Sequence, residues 1–139
     1  YDIERMLIND EVTVDELPKL WNDKMEEYLG IRPENDSEGV LQDVHWSDGM
    51  IGYFPTYALG TAYSAQIYHA MRKELILPKL IKENQIEKIN EWLKEKLHKY
   101  GSSKTPKELL LMITGEEFNP KYYIEYLKDK YSKIFLSRQ

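Results

Sequence analysis

Between Gly39 and Tyr57 the chain reads Gly39-Val-Leu-Gln42-Asp43-Val-His45-Trp46-Ser-Asp48-Gly49-Met-Ile-Gly52-Tyr53-Phe54-Pro55-Thr56-Tyr57. One imidazole, two phenols, an indole, two carboxylates and a carboxamide share this stretch with three glycines. Imidazole and phenol groups donate hydrogen bonds and protons, which suits them to stabilise a developing oxyanion. Neither group supplies a metal or a strong nucleophile. Pro55 separates the two tyrosines, so a helix begins no earlier than about Phe54 to Thr56. Tyr57 is therefore expected near a helix N-terminus, where the positive dipole end favours a bound anion. Taken singly, a histidine is more often a hydrogen-bonded structural residue, and buried tyrosines commonly pack their rings and bond their hydroxyls to backbone. It is the combination that points to an active-site wall. Asp43, His45 and Asp48 match no metal cage, and the chain has neither a His-Glu-x-x-His sequence nor a cysteine. No metal site is expected in this chain alone.

The elements that must hold this wall read as helices throughout. Ile3, Met6 and Leu7 keep helical spacing up to about Asn9. Thr13-Val-Asp-Glu16 is a capping box, and the helix after it aligns Leu17, Leu20, Trp21, Met25 and Tyr28 before Gly30. Residues 31–56 keep no helical period and contain Pro33, Gly39, Gly49, Gly52 and Pro55, so they read as one long structured loop. A central helix follows over about 56–75. Its small residues Ala58, Gly60, Ala62 and Ala65 predict close packing against another helix. Pro78 breaks or kinks the chain. Further helices are expected over about 86–100, 106–114 and 120–136, the second opened by the Thr105-Pro106-Lys-Glu108 capping box. Trp92 and the tyrosines of the last helix are expected in the core. The Lys/Glu runs of residues 72–99 are expected on solvated faces.

Composition narrows the classes. The 139 residues are one domain's worth and are 42% hydrophobic and 31% charged, unlike a disordered tail. No run nears the ~20 apolar residues that span a bilayer, so no membrane is expected. A net charge of −5 argues against a nucleic-acid partner. The absence of cysteine fits an intracellular, cytoplasmic protein. Only four of the 19 basic residues are arginine, and this Lys/Glu-rich, Cys-free composition fits a thermophile or an AT-rich genome. The chain begins with Tyr1 rather than Met, which fits a fragment.

The site segment resembles a known family. Gly39-Val-Leu-Gln42-Asp43-Val-His45-Trp46 is similar to the G-x-x-Q-D-x-H-W motif of the carboxypeptidase Taq family, thermostable metallocarboxypeptidases of archaea and bacteria. Gly52-Tyr53-Phe54-Pro55-Thr56-Tyr57 matches its G-Y-F-P-T-Y run at the expected distance. Trp21-Asn22, Tyr28-Leu29-Gly30, Leu59-Gly60, Thr114-Gly115-Glu116 and Asn119-Pro120-Lys121-Tyr122 extend the likeness over the whole chain. The resemblance implies an all-α fold, the C-terminal helical portion of a larger α-helical metallopeptidase, with residues 31–56 as its active-site loop. It implies zinc or cobalt, but in the longer enzyme. The His-Glu-x-x-His helix, the third ligand and the general-base Glu of the family lie N-terminal to the matched region. This chain alone is therefore expected to bind no cofactor and to be inactive.

By the same resemblance His45 and Tyr57 are the oxyanion-stabilising pair, with Tyr53 as the alternative tyrosine. Gln42, Asp43 and Trp46 hold the loop and line the substrate pocket, and Asp43 can also orient His45 or fix its tautomer. The implied partners are a peptide substrate, the N-terminal catalytic portion and, as full-length relatives are commonly homodimers, a second copy. Two other readings stand beside this one: an inactive stand-alone helical domain retained for binding or regulation, and a subunit that completes a split peptidase.

Overall fold

The structure is a computed structural model and describes residues 1–136. Among the described residues the fold is all-α, with eight α-helices and no strand. In chain order these are α1 (Asp2–Ile8), α2 (Leu17–Leu29), α3 (Val44–Ser47), α4 (Pro55–Glu74), α5 (Leu77–Lys82), α6 (Ile86–Lys96), α7 (Pro106–Thr114) and α8 (Lys121–Leu136). They form two compact units, Tyr1–Ala58 and Leu59–Gln139, with the boundary inside α4.

In the first unit the Thr13–Glu16 box closes in both directions around a 3-10 turn, Val14–Glu16, that leads into α2. Gly30 ends α2 in the left-handed conformation at φ 69°, and the Tyr28 hydroxyl donates to Asp2 Oδ2 at 2.8 Å, tying α2 to α1. Ile3 and Leu17 are the buried apolar residues here. Residues 31–56 are not loop throughout. They contain a 3-10 turn at Val40–Gln42 and the single-turn helix α3. No hydrophobic period announces a helix of four residues; its start is fixed by a side-chain cap, Asp43 accepting from the His45 backbone N–H.

In the second unit Ala70 and Met71 of α4, Leu77 of α5, Trp92 of α6 and Ile113 of α7 meet in one core, packed around by Ile67, Leu75, Ile89, Leu93, Leu97 and Leu109. Pro78 lies in the first turn of α5, where its missing N–H costs nothing. Leu97 interrupts α6, and His98–Tyr100 adds a 3-10 turn. The Thr105–Glu108 box caps α7, Gly115 ends it in the left-handed region, and Asn119 Oδ1 accepts the Lys121 N–H at the start of α8. Gln66, only 1% exposed, spends both ends of its amide: Nε2 donates to Thr114 Oγ1 and the Glu117 carbonyl, and Oε1 accepts from the Asn119 N–H.

One packing expectation changes, while the small-residue stripe of α4 stays partly open: Ala62 is buried, but Ala58 and Gly60 are exposed and nothing lies within 4 Å of a Cβ placed on Gly60. The tyrosine-rich α8 is not core. Tyr123 and Leu127 are half-buried, while Ile124, Tyr126 and Tyr131 are exposed. Trp92 is buried as its place in the α6 stripe predicts.

Candidate active site

The site segment lies in the first unit and is held at both ends. Gly39 is buried where a Cβ would sit 3.0 Å from Asn22 Oδ1 and 3.2 Å from the Asn35 carbonyl, so a larger residue would push on both neighbours. The Gln42 amide donates to the Ser37 carbonyl and braces the approach to α3. At the far end the Thr56 hydroxyl donates to the Tyr53 carbonyl at 2.7 Å, securing the entry to α4. Tyr57 falls in the first turn of that helix, as the position of Pro55 requires.

His45 is fixed by Asp43. A single oxygen, Oδ1, meets both the His45 backbone N–H and ring Nδ1, each at 3.0 Å. Both side chains are largely buried, His45 13% and Asp43 9% exposed. The carboxylate is an acceptor for both, so Nδ1 carries the proton and Nε2 is the nitrogen left for other work.

Three aromatic rings surround the imidazole: Phe54 at 5.0 Å between centroids, Tyr53 at 5.5 Å and Tyr57 at 5.9 Å. Tyr53 and Tyr57 meet edge to face at 5.5 Å. A hydrogen bond with Tyr53 favours the protonated phenol of Tyr57 and raises its pKa above the ordinary 10.0. Tyr57 therefore holds its proton at neutral pH and remains a donor. Both tyrosines are exposed.

The structure thus brings His45, Tyr53, Tyr57 and Asp43 into one cluster. Trp46 points elsewhere: its ring packs edge-on against Trp21 at 5.8 Å, and its Nε1 donates to Glu4 Oε1 at 3.0 Å. Gln42 is exposed and serves the loop. Asp48 caps the end of α3 and is exposed.

Sequence reasoning missed Glu4. It is buried on α1, and its Oε1 also accepts the Gly52 backbone N–H at 2.9 Å. Gly52 sits at φ 77°, a left-handed turn that aims its N–H inward. A signal for Glu4 did exist: positions 3, 4 and 7 share a helix face, so a carboxylate lies within the Ile3–Leu7 apolar stripe. A buried carboxylate must find donors, and Glu4 finds them in the site segment.

Among the described residues no group of three His, Cys, Asp or Glu side chains is placed to hold a metal ion. His45, Tyr53 and Tyr57 make a wall of three proton-bearing groups beside the Asp43 carboxylate.

The all-α fold is shared with part of larger known proteins. The family model for Carboxypeptidase Taq (M32) metallopeptidases matches residues 1–131, and the chain belongs to that family. It is 46% identical over 137 residues to Carboxypeptidase 1 of Bacillus subtilis, covering 98% of this chain and 27% of that protein. Against Thermostable carboxypeptidase 1 of Pyrococcus furiosus it is 43% identical over 132 residues, covering 94% of this chain and 26% of the relative. Among solved structures it superposes on Trypanosoma cruzi metallocarboxypeptidase 1 with a TM-score of 0.88 at 44% identity, covering 95% of this chain and 28% of that one. On the carboxypeptidase of Deinococcus radiodurans R1 the TM-score is 0.91 at 32% identity, over 97% and 28% of the two chains. The chain spans about a quarter of the length of the curated relatives it matches. Among the described residues no helix is long and apolar enough to cross a membrane.

Proposed function

We propose that this chain is the C-terminal part of a metal-dependent carboxypeptidase that removes C-terminal amino acids from peptides. It supplies oxyanion-stabilising and substrate-pocket residues and leaves the metal ligands to the rest of the enzyme. The observation that carries this reading is the convergence of His45, fixed by Asp43, with the protonated phenol of Tyr57. A peptide carbonyl gains negative charge on its oxygen as its carbon is attacked. Donors already fixed toward that oxygen stabilise the transition state more than the ground state. Tyr57 donates as a neutral phenol by turning its O–H from Tyr53 to the oxyanion. His45 donates through Nε2, which requires the imidazolium because Nδ1–H is turned to Asp43. Gln42 and Trp46 keep the segment in place. By itself the chain is inactive in this reading.

The test is release of C-terminal amino acids by the complete enzyme carrying this segment. His45→Ala and Tyr57→Phe should each lower kcat by about 10²–10³-fold with KM little changed, the usual loss for one oxyanion donor. Two near-wild-type variants would refute the reading.

A further inference from the structure

Among the described residues, Glu4 is the one buried ionisable group beside the site that the proposed chemistry does not use. It is 4% exposed, and one of its oxygens, Oε1, accepts both the Trp46 indole N–H and the Gly52 backbone N–H, at 3.0 and 2.9 Å. The positions of these donors matter. Trp46 directly follows His45, and Gly52 directly precedes Tyr53. Between them the chain turns back on itself, with the Met50 N–H donating to the His45 carbonyl at 2.8 Å and the Gly49 N–H to the Trp46 carbonyl at 3.0 Å. A single oxygen on α1 thus grips both legs of the turn that separates the imidazole from the phenols. The other oxygen, Oε2, is buried without a hydrogen bond.

We propose that Glu4 is a positioning residue of the candidate active site, setting the separation of His45 from Tyr53 and Tyr57 by clamping Trp46 and Gly52 together. The clamp rests on the reading of His45 and Tyr57 as oxyanion donors. Its effect should be large for a residue that touches no substrate, because displacing a catalytic group by about 1 Å can cost about 10²-fold in rate. The geometry also names the variant that separates placement from charge. Both donors meet the same oxygen, so the carbonyl oxygen of a glutamine in that place can accept both, and its amide nitrogen takes the place of Oε2, where no donor is displaced.

The experiment compares Glu4→Ala, Glu4→Gln, Trp46→Phe and His45→Ala in the complete enzyme carrying this segment, with kcat and KM measured separately. The indole N–H resonance of Trp46 is followed by NMR and assigned by its loss in Trp46→Phe. Glu4→Ala should lower kcat by about 10²-fold with KM changed less than about twofold, and should shift the Trp46 indole resonance. Glu4→Gln should return kcat to within about threefold of wild type and keep the resonance in place, because both hydrogen bonds survive. Starting from His45→Ala combined with Tyr57→Phe, adding Glu4→Ala should cost little more, since the groups it places are already gone. If Glu4→Ala keeps kcat within about twofold of wild type while His45→Ala is crippled, the clamp is wrong and the oxyanion reading stands. If His45→Ala and Tyr57→Phe are both near wild type, the oxyanion reading fails and the clamp fails with it. Should Glu4→Ala not fold, Glu4→Gln decides: activity as poor as in Trp46→Phe overturns the clamp, and activity near wild type supports it.

Discussion

In the proposed reading His45 and Tyr57 donate to the same oxygen, and each is held in a different way. Asp43 takes up His45 Nδ1 and leaves Nε2 for substrate. Tyr57 stays a neutral phenol, because its hydrogen bond with Tyr53 pushes its pKa upward. Tyr53 is the control for the phenols. Tyr53→Phe keeps the ring contacts with His45 and removes the bond to Tyr57, so its loss in kcat should be several-fold smaller than that of Tyr57→Phe. The reverse order would make Tyr53 the oxyanion donor.

The helices were legible where sequence chemistry is local, and the site was legible only in part. Capping boxes at Thr13 and Thr105 and stops at Gly30 and Gly115 fall where their residue types place them, because a cap depends on four neighbouring positions. Helix α3 was not legible, since its one turn rests on the Asp43 side chain rather than on a period. The Glu4 clamp was not legible either. Its donors lie 42 and 48 residues away, and no local rule couples them. The α4–α6 junction has the same long-range character and yields a stability prediction. Trp92 Nε1 donates to Glu74 Oε2 at 2.9 Å and Lys96 lies 3.1 Å from Oε1, first the indole bond and then the ammonium lowering the Glu74 pKa from 4.5. Because the folded pKa is depressed, this stabilisation is present above the unfolded value and is lost as the pH falls through the lower folded one. Glu74→Gln should therefore destabilise the protein at neutral pH and show a smaller drop in melting temperature on acidification below about pH 4.5. Equal acid sensitivity in the two proteins would show that Glu74 is not linked to folding in this way. Half of the Glu74 side chain stays in solvent, so the effect should be modest.

At the scale of the whole molecule, the distribution of apolar side chains is the strongest constraint. Buried apolar residues number only ten among the described residues, whereas Tyr53, Phe54, Tyr57 and Leu59 around the start of α4 are all 44–57% exposed. Leu111 and Met112 on α7 and Ile124 on α8 are about half exposed as well. Single exposed apolar residues are ordinary on a protein surface, but Tyr53 and Phe54 both pack their rings against Tyr57 and make one exposed aromatic patch. Its centre is the proposed catalytic wall, which must be dry to work, because hydrogen bonds to a developing charge gain strength when water is excluded. The relatives are about four times longer, so the rest of such an enzyme has the material to cover this face. The 139-residue chain prepared alone should consequently bind a dye that reports exposed apolar surface, or bury that surface by self-association that strengthens with concentration. Adding the separately prepared N-terminal portion of the enzyme should suppress both signals. Phe54→Ser should weaken dye binding and association in the isolated chain, since Phe54 is the most exposed of the four. A monomer at all concentrations in light scattering, with no dye bound and no response to the N-terminal portion, would show that the patch needs no cover. The wall would then have to do its chemistry in contact with water, where one phenol and one imidazolium stabilise an oxyanion far less.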